Sequence, residues 1–383
     1  MDAVKALALA ALVAACGART EGLPEAPDRA SLDGGGPLDL DASVDRALTR
    51  PPRLEAGCDG APLPAPRSVR RVDGPTRLYP VTLHDPSRER VIVLGGLPAS
   101  GTFTREVYAV STVDGHVTPL GQSGVELALE AGVAWAVPGQ TALLVGGMRP
   151  GGVWTGDVLR VDVTDASVRV SRAGAHPGGE IVGPTAVYDP RRAAVIVNGG
   201  RGVDGRDARP FATTWAVRLD GASTRWEALV APADGPAPGW QRVGGVDPRD
   251  GAVILLGGAT SDGADRAVWS LAAGAQPHWA RLEGAADALP RSGEALPWDP
   301  VGCGFVLVGG RCSDQIWLLR PEAGGVREAL LGAVRLEGES RGLGRMGAGV
   351  ALDVARRTLV AVAGESCDTS GATVRSNALI ELR

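Results

Sequence analysis

Lysine occurs once in the 383 residues, at Lys5. The other basic residues besides four histidines are arginines, spread along the chain without a basic run, and the net charge is only −5. That balance excludes a nucleic-acid surface built on bulk charge. Aromatics make up 4% of the chain, with three Tyr, three Phe and nine Trp. No CxxC spacing occurs, so the usual thiolate metal clip is missing. No phosphate loop is present, and the match to GxGxxG at Gly342–Gly347 has no strand–helix unit around it. The N-terminal apolar run, Ala6–Ala15, has ten residues, too few to cross a bilayer as a helix.

What is plentiful is glycine, 55 residues, with 28 prolines. This suits many short strands joined by turns, and a helical protein does not tolerate it. The N-terminal run fits the apolar region of a signal peptide. It ends in Val13-Ala14-Ala15-Cys16, which resembles the lipobox of bacterial lipoproteins. The resemblance implies removal of residues 1–15, lipidation of Cys16 and export to the cell envelope; Gly17 after the cysteine points to the outer membrane. Residues 16–66 contain DGGGP, PEAPD, TRPP and APLPAP and almost no β-branched or aromatic side chains. Such a stretch cannot bury enough apolar area to offset its ordering entropy, so it reads as a tether.

The folded part, 67–383, carries an internal ruler. VIVLGG at Val91–Gly96 returns in altered form ending at Gly147, Gly200, Gly258, Gly310 and Gly364. The first position of each pair falls at Gly95, Gly146, Gly199, Gly257, Gly309 and Ala363, in steps of 51, 53, 58, 52 and 54 residues. A period near 50 suits a four-stranded propeller blade. Asp85, Asp189, Asp247, Asp299 and Asp353 each lie ten residues before that position, and the first four are followed by proline. Aspartate then proline is the chemistry of a type I turn, which places these carboxylates in the turn between the first and second strands rather than in catalysis. Third strands are expected at Glu106–Val110, Asp157–Val161, Thr214–Leu219, Ala267–Leu271, Gln315–Leu319 and Ala378–Leu382. Fourth strands are expected from His116, Ser167, Arg225, His278 and Val326.

A second strand ending in Gly-Gly, an aromatic in the third and a tryptophan in the fourth (Trp226, Trp279) resemble the kelch family. The resemblance implies an all-β, six-bladed propeller of four-stranded antiparallel blades. The sixth unit stops after its third strand, so Ser68–Val72 is expected to supply its fourth and close the ring. In that topology Cys303 and Cys312 are separated by a whole strand, roughly 20–25 Å, which is too far to bridge. The favoured pairs are therefore Cys58–Cys303 and Cys312–Cys367, with free or partner-linked thiols as the alternative.

Kelch propellers mostly bind partners and some are enzymes. Copper oxidases of this architecture use Tyr, His and Cys around the metal, but Tyr79, Tyr108, Tyr188, His84, His116, His176 and His278 do not converge here. No metal, cofactor or catalytic residue is expected. Eight residues before the turn aspartate stand Arg77, Arg291 and Arg345, in neighbouring blades, with Glu294 and Gln241 near the same channel mouth. Three converging guanidinium groups suit an anionic ligand; the alternative is arginines that bond loop carbonyls. The loop Arg201–Phe211, on the same face, is positioned to shape a binding surface. The expectation is a monomeric, lipid-anchored binding module for a protein or an anionic carbohydrate. A sugar-acid enzyme, similar to kelch-type mutarotases, is the alternative.

Overall fold

A half-buried strand alternates apolar and polar residues, yet the runs that end in Gly-Gly do not alternate. The structure, a computed structural model, gives the reason. It describes residues 66–77, 80–98, 104–127, 131–149, 152–204, 207–230, 235–274, 276–284, 296–308, 315–322, 324–333, 349–362, 365–367, 373–375 and 377–382. The second strands Arg90–Leu94, Thr141–Val145, Ala194–Asn198, Val253–Leu256, Gly304–Val308 and Thr358–Val362 are buried at every position. Their two faces serve two different cores. Val91 and Val93 pack with Val360, Val362 and Leu379 of repeat six. Ile92 and Leu94 pack with Ala142, Leu144 and Leu159 of repeat two. The same division recurs around the chain, with cores between repeats two and three, three and four, four and five, and five and six. Each core lies between two consecutive repeats, and repeat six shares one with repeat one.

The chain is all-β apart from a single 3-10 turn, Pro86–Arg88, among the described residues. Each repeat is an antiparallel meander in which sequential strands pair. Repeat three, for example, runs Thr185–Asp189, Ala194–Asn198, Thr214–Asp220 and Ser223–Val230. The third and fourth strands lie where the sequence pattern sets them, within a few residues at their ends. His116 and His278 stand just before their strands, which begin at Val117 and Trp279. Repeat six is Gly349–Asp353, Thr358–Val362 and Asn377–Leu382, and its fourth strand is the N-terminal segment Pro66–Val72. Val69 pairs with Ile380 and Arg71 with Ala378 in an antiparallel ladder. Repeats one and two are joined further: Val117–Gly124 runs past its own sheet and pairs in parallel with the strand beginning at Ser167, giving one eight-stranded sheet. Only glycine fits at its end, since a Cβ on Gly124 would stand 1.8 Å from the Val170 carbonyl oxygen.

The turn aspartates are structural. All five are buried. Asp189 accepts the backbone N–H groups of Arg191 and Arg192, and Asp299 those of Val301 and Gly302. The fourth residue after each aspartate is left-handed: Glu89, Ala193, Gly251, Cys303 and Arg357 all have positive φ. Each carboxylate also holds an arginine, and most of these arginines reach the neighbouring repeat. Arg88 bonds Asp85 and the Gly139 carbonyl; Arg192 bonds Asp189 and the Ala272 carbonyl. Arg249 bonds Asp247 and the Pro321 carbonyl, and Arg357 crosses from repeat six to Asp299. Hydrogen bonds from Ser87, Arg88 and Arg90 hold the Asp85 carboxyl below its usual pKa against the opposing effect of burial. The arginines three residues after Asp85, Asp189 and Asp353 form a second register in the sequence.

Cys303, in the turn of repeat five, is disulfide-bonded. Its partner is not among the described side chains; Cys16, Cys58 and Cys312 lie outside the described residues, as does the Gly342–Gly347 motif.

Candidate functional site

The Gly-Gly pairs carry a conformation that only glycine adopts at low cost. The first glycines have φ of 62, 68, 65 and 66 at Gly95, Gly146, Gly199 and Gly257, and the second glycines 97, 100, 99 and 88. Close approach adds a second reason: a Cβ on Gly199 would meet the Gly239 carbonyl oxygen at 2.3 Å. In repeats two, three, four and six the described chain beyond these pairs folds into small hairpins, Met148–Arg149 with Val153–Trp154, Arg201–Asp204 with Asp207–Pro210, Ala259–Thr260 with Gly263–Ala264, and Glu365–Cys367 with Thr373–Arg375. The segment Arg201–Phe211, expected as a loop, is thus a hairpin whose end returns through the Phe211 N–H to the Gly200 carbonyl at 2.7 Å.

These hairpins are bonded to the segments that lead into the next repeat. Ile181 donates to the Thr155 carbonyl at 3.2 Å, and Val182 and Arg201 exchange bonds at 2.9 and 2.8 Å. Gly200 donates to the Gly239 carbonyl at 2.8 Å, and Trp240 pairs with Ala259. A continuous backbone-bonded rim therefore runs across repeats two, three and four. It gathers three half-buried side chains from three repeats. The Arg201 guanidinium lies over the Trp154 ring at 5.7 Å and over the Trp240 ring at 5.3 Å. Contacts of this kind stabilise by about 0.5–2 kcal/mol each, more when water is excluded.

Gln241 stands beside this group. Its N–H donates to the Gly183 carbonyl at 2.7 Å, and its side chain packs over Gly183. Its φ is 54. The left-handed conformation costs an L-residue other than glycine roughly 1–2 kcal/mol. Gly183, at the same register position in repeat three, has φ 63, and repeats five and six have Gly293 and Gly347 there. Below the rim, Arg242 is 5% exposed and bonds Asp265 at 2.9 Å and the Ala237 carbonyl at 2.7 Å. Its Nε and Nη1 have no partner.

Of the residues expected from the sequence at this face, Arg77 is described and is consumed in the fold. It is 2% exposed, pairs with Glu106 and lies over the Tyr108 ring at 5.9 Å. Tyr108 donates to the Pro75 carbonyl, and burial pushes its hydroxyl up to about 12. Arg291, Glu294 and Arg345 lie outside the described residues. Gln241 adjoins Trp240 in sequence and contacts Gly183. Trp154, Arg201 and Trp240 occupy three unrelated register positions, so counting could not group them; the signal that was available is a glutamine where three repeats have glycine.

A second aromatic group lies beneath the same hairpin. His176 is 4% exposed and meets Phe211, Trp215 and Trp226 edge-on at 5.7, 6.3 and 5.3 Å. Its Nδ1 accepts the Gly178 N–H, and burial pushes its pKa down to about 4, so the ring is neutral at physiological pH. His176 is a core residue here.

Comparison with known proteins places the architecture. The chain is similar to the solved structure of YjhT, a kelch-type propeller protein, at 13% identity and a TM-score of 0.51, over 66% of this chain and 84% of that one. That likeness shows a propeller-like fold. No protein-family model and no curated protein matches the chain.

Proposed function

We propose that this chain is a six-bladed kelch-type propeller, exported and lipid-anchored in the bacterial cell envelope, that works as a binding module through its Gly-Gly face. Six cores, each between consecutive repeats with the sixth joining the ends, support the blade count and the closure. The observation that carries the binding role is the rim, where three repeats bring Trp154, Arg201 and Trp240 together on a rigid, backbone-bonded frame. The opposite face spends its aspartates and arginines on joining the repeats. Aromatic and arginine side chains dominate binding energy at protein surfaces, and a pre-formed frame lowers the ordering cost of using them. A thermal-shift screen of carbohydrates, organic acids and peptides is expected to yield a ligand whose stabilisation disappears in the Trp154→Ala, Trp240→Ala variant and which is recovered chemically unchanged. Conversion of that ligand would replace the binding reading with an enzymatic one.

The location rests on the sequence features of residues 1–66. The Cys58–Cys303 pairing draws support from the bonded state of Cys303 and from the course of the chain, because Pro66 begins the fourth strand of repeat six, next to repeat five. Mass spectrometry of the protein isolated from envelopes under non-reducing conditions is expected to give a fatty-acylated N-terminal peptide beginning at Cys16 and a Cys58–Cys303 cross-linked peptide. An intact N-terminus would end the anchor reading, and a Cys303–Cys312 link would end the pairing.

A further inference from the structure

We propose that Arg201, Gln241 and the indoles of Trp154 and Trp240 form a site for a ring-bearing carboxylate, with the carboxylate on the guanidinium and the Gln241 amide and the ring against an indole face. The proposal rests on the rim being the binding face and goes beyond it by assigning the ligand's chemistry.

Three observations converge. Arg201 is held by rings from two other repeats, at 5.7 and 5.3 Å. Flanking indoles restrict a planar guanidinium and shield it from water, which strengthens its charge-assisted hydrogen bonds. A carboxylate offers two coplanar acceptors that match one guanidinium fork; inorganic phosphate can meet the fork too, but it brings no ring to the indole faces. The indoles themselves are half-buried rather than covered, so each retains surface for a ring.

Gln241 supplies the second observation. The other described non-glycine residues with positive φ, Glu89, Ala193, Cys303 and Arg357, all stand at the fourth position after a turn aspartate, where the repeat requires that conformation. Gln241 stands outside that turn, at a position filled by glycine in repeats three, five and six. The backbone there accepts glycine, so the amide side chain is kept against its conformational preference. An observed outlier of this kind points to a functional site. The third observation is Arg242. Its guanidinium is buried against Gly199 and Gly239, directly under the rim, with Nε and Nη1 unpartnered. Polar N–H groups in that place favour an anion above them.

The test is a titration of the full-length protein, followed by tryptophan fluorescence and calorimetry, with benzoate, glucuronate, glucose and inorganic phosphate. At least one of the two ring carboxylates is expected to bind saturably, about tenfold or more tighter than glucose or phosphate. Arg201→Gln and Gln241→Gly are each expected to weaken it by about tenfold, while Gln241→Gly melts no lower than the wild type. That last combination separates a ligand-contacting glutamine from a merely structural one. Equal binding of glucose, or binding unaffected by Arg201→Gln, overturns the carboxylate assignment; if Trp154→Ala and Trp240→Ala still abolish that binding, the rim survives as the binding face. Binding indifferent to all four side chains overturns the rim as well. Failure of both ring carboxylates to bind overturns this proposal alone, and undiminished binding by Gln241→Gly removes Gln241 from the site.

Discussion

Replacing Asp299 with alanine is expected to destabilise the protein by about 3–5 kcal/mol, the range for removing one partner of a buried ion pair. Asp299 is fully buried. Its carboxylate accepts the N–H groups of Val301 at 3.1 Å and Gly302 at 3.2 Å, and it pairs with Arg357 of repeat six through both terminal guanidinium nitrogens, Nη1 and Nη2. Alanine leaves two backbone donors without acceptors and strands a guanidinium whose side chain is only 19% exposed. The pair also joins two repeats, so its loss weakens an interface and not only a turn. An exposed pair gives the contrast: Arg281 and Glu283 are 61% and 76% exposed at 3.8 Å, and Glu283→Ala is expected to cost under about 0.5 kcal/mol. Equilibrium urea unfolding at neutral pH reads both. Replacing Arg357 by methionine together with Asp299→Ala should recover part of the loss, because no buried charge is then left alone. A loss below about 1 kcal/mol for Asp299→Ala, no more than an average point mutation gives, would contradict the structural role assigned to these aspartates.

Deleting Ser68–Val72 is expected to have the second large effect. These residues pair with Asn377–Glu381 and make Asn377–Leu382 an interior strand. Val72 is 5% exposed within the core shared by repeats six and one, and Val69 packs against the core shared by five and six. The deletion therefore opens both interfaces of repeat six and leaves an unpaired strand edge, a template for aggregation. Gly115 of repeat one also loses its neighbour, since Val72 stands so close that a Cβ there would fall within 2.8 Å of it. Differential scanning calorimetry should show a melting temperature lower by about 10 °C or more, the scale of several kcal/mol lost in a domain of this size. A melt within about 2 °C of the wild type, less than 1 kcal/mol, would mean that repeat six holds without this strand.

The candidate site was less legible than the frame. Gly-Gly spacing located the face, and the length of the Arg201–Phe211 segment marked it as a place to look. Of the three arginine positions counted from the turn aspartates, only Arg77 is among the described residues. Arg77 sits at such a position and is buried on Tyr108 with Glu106 as its partner. Repeat register groups residues that share a role in the fold, and such residues are the ones the fold consumes. Arg201 meets Trp154 and Trp240 because hairpins of different length lean across repeat boundaries, and the lengths follow no period.

The amino-acid sequence by itself determined the strand meander, its period, the turn at each buried aspartate and the N-terminal strand of repeat six. Each of these follows from local chemistry: strands buried on two faces must be apolar throughout, Asp-Pro shapes a turn, and paired glycines take conformations other residues avoid. Only the tertiary structure decided which arginines join neighbouring repeats and which one is presented between two indoles. It also showed that Gln241 holds a glycine's conformation. Those outcomes depend on contacts between residues about 40 to 80 positions apart, from Arg201 with Trp154 and Trp240 to Arg192 with Ala272, and no local pattern records them.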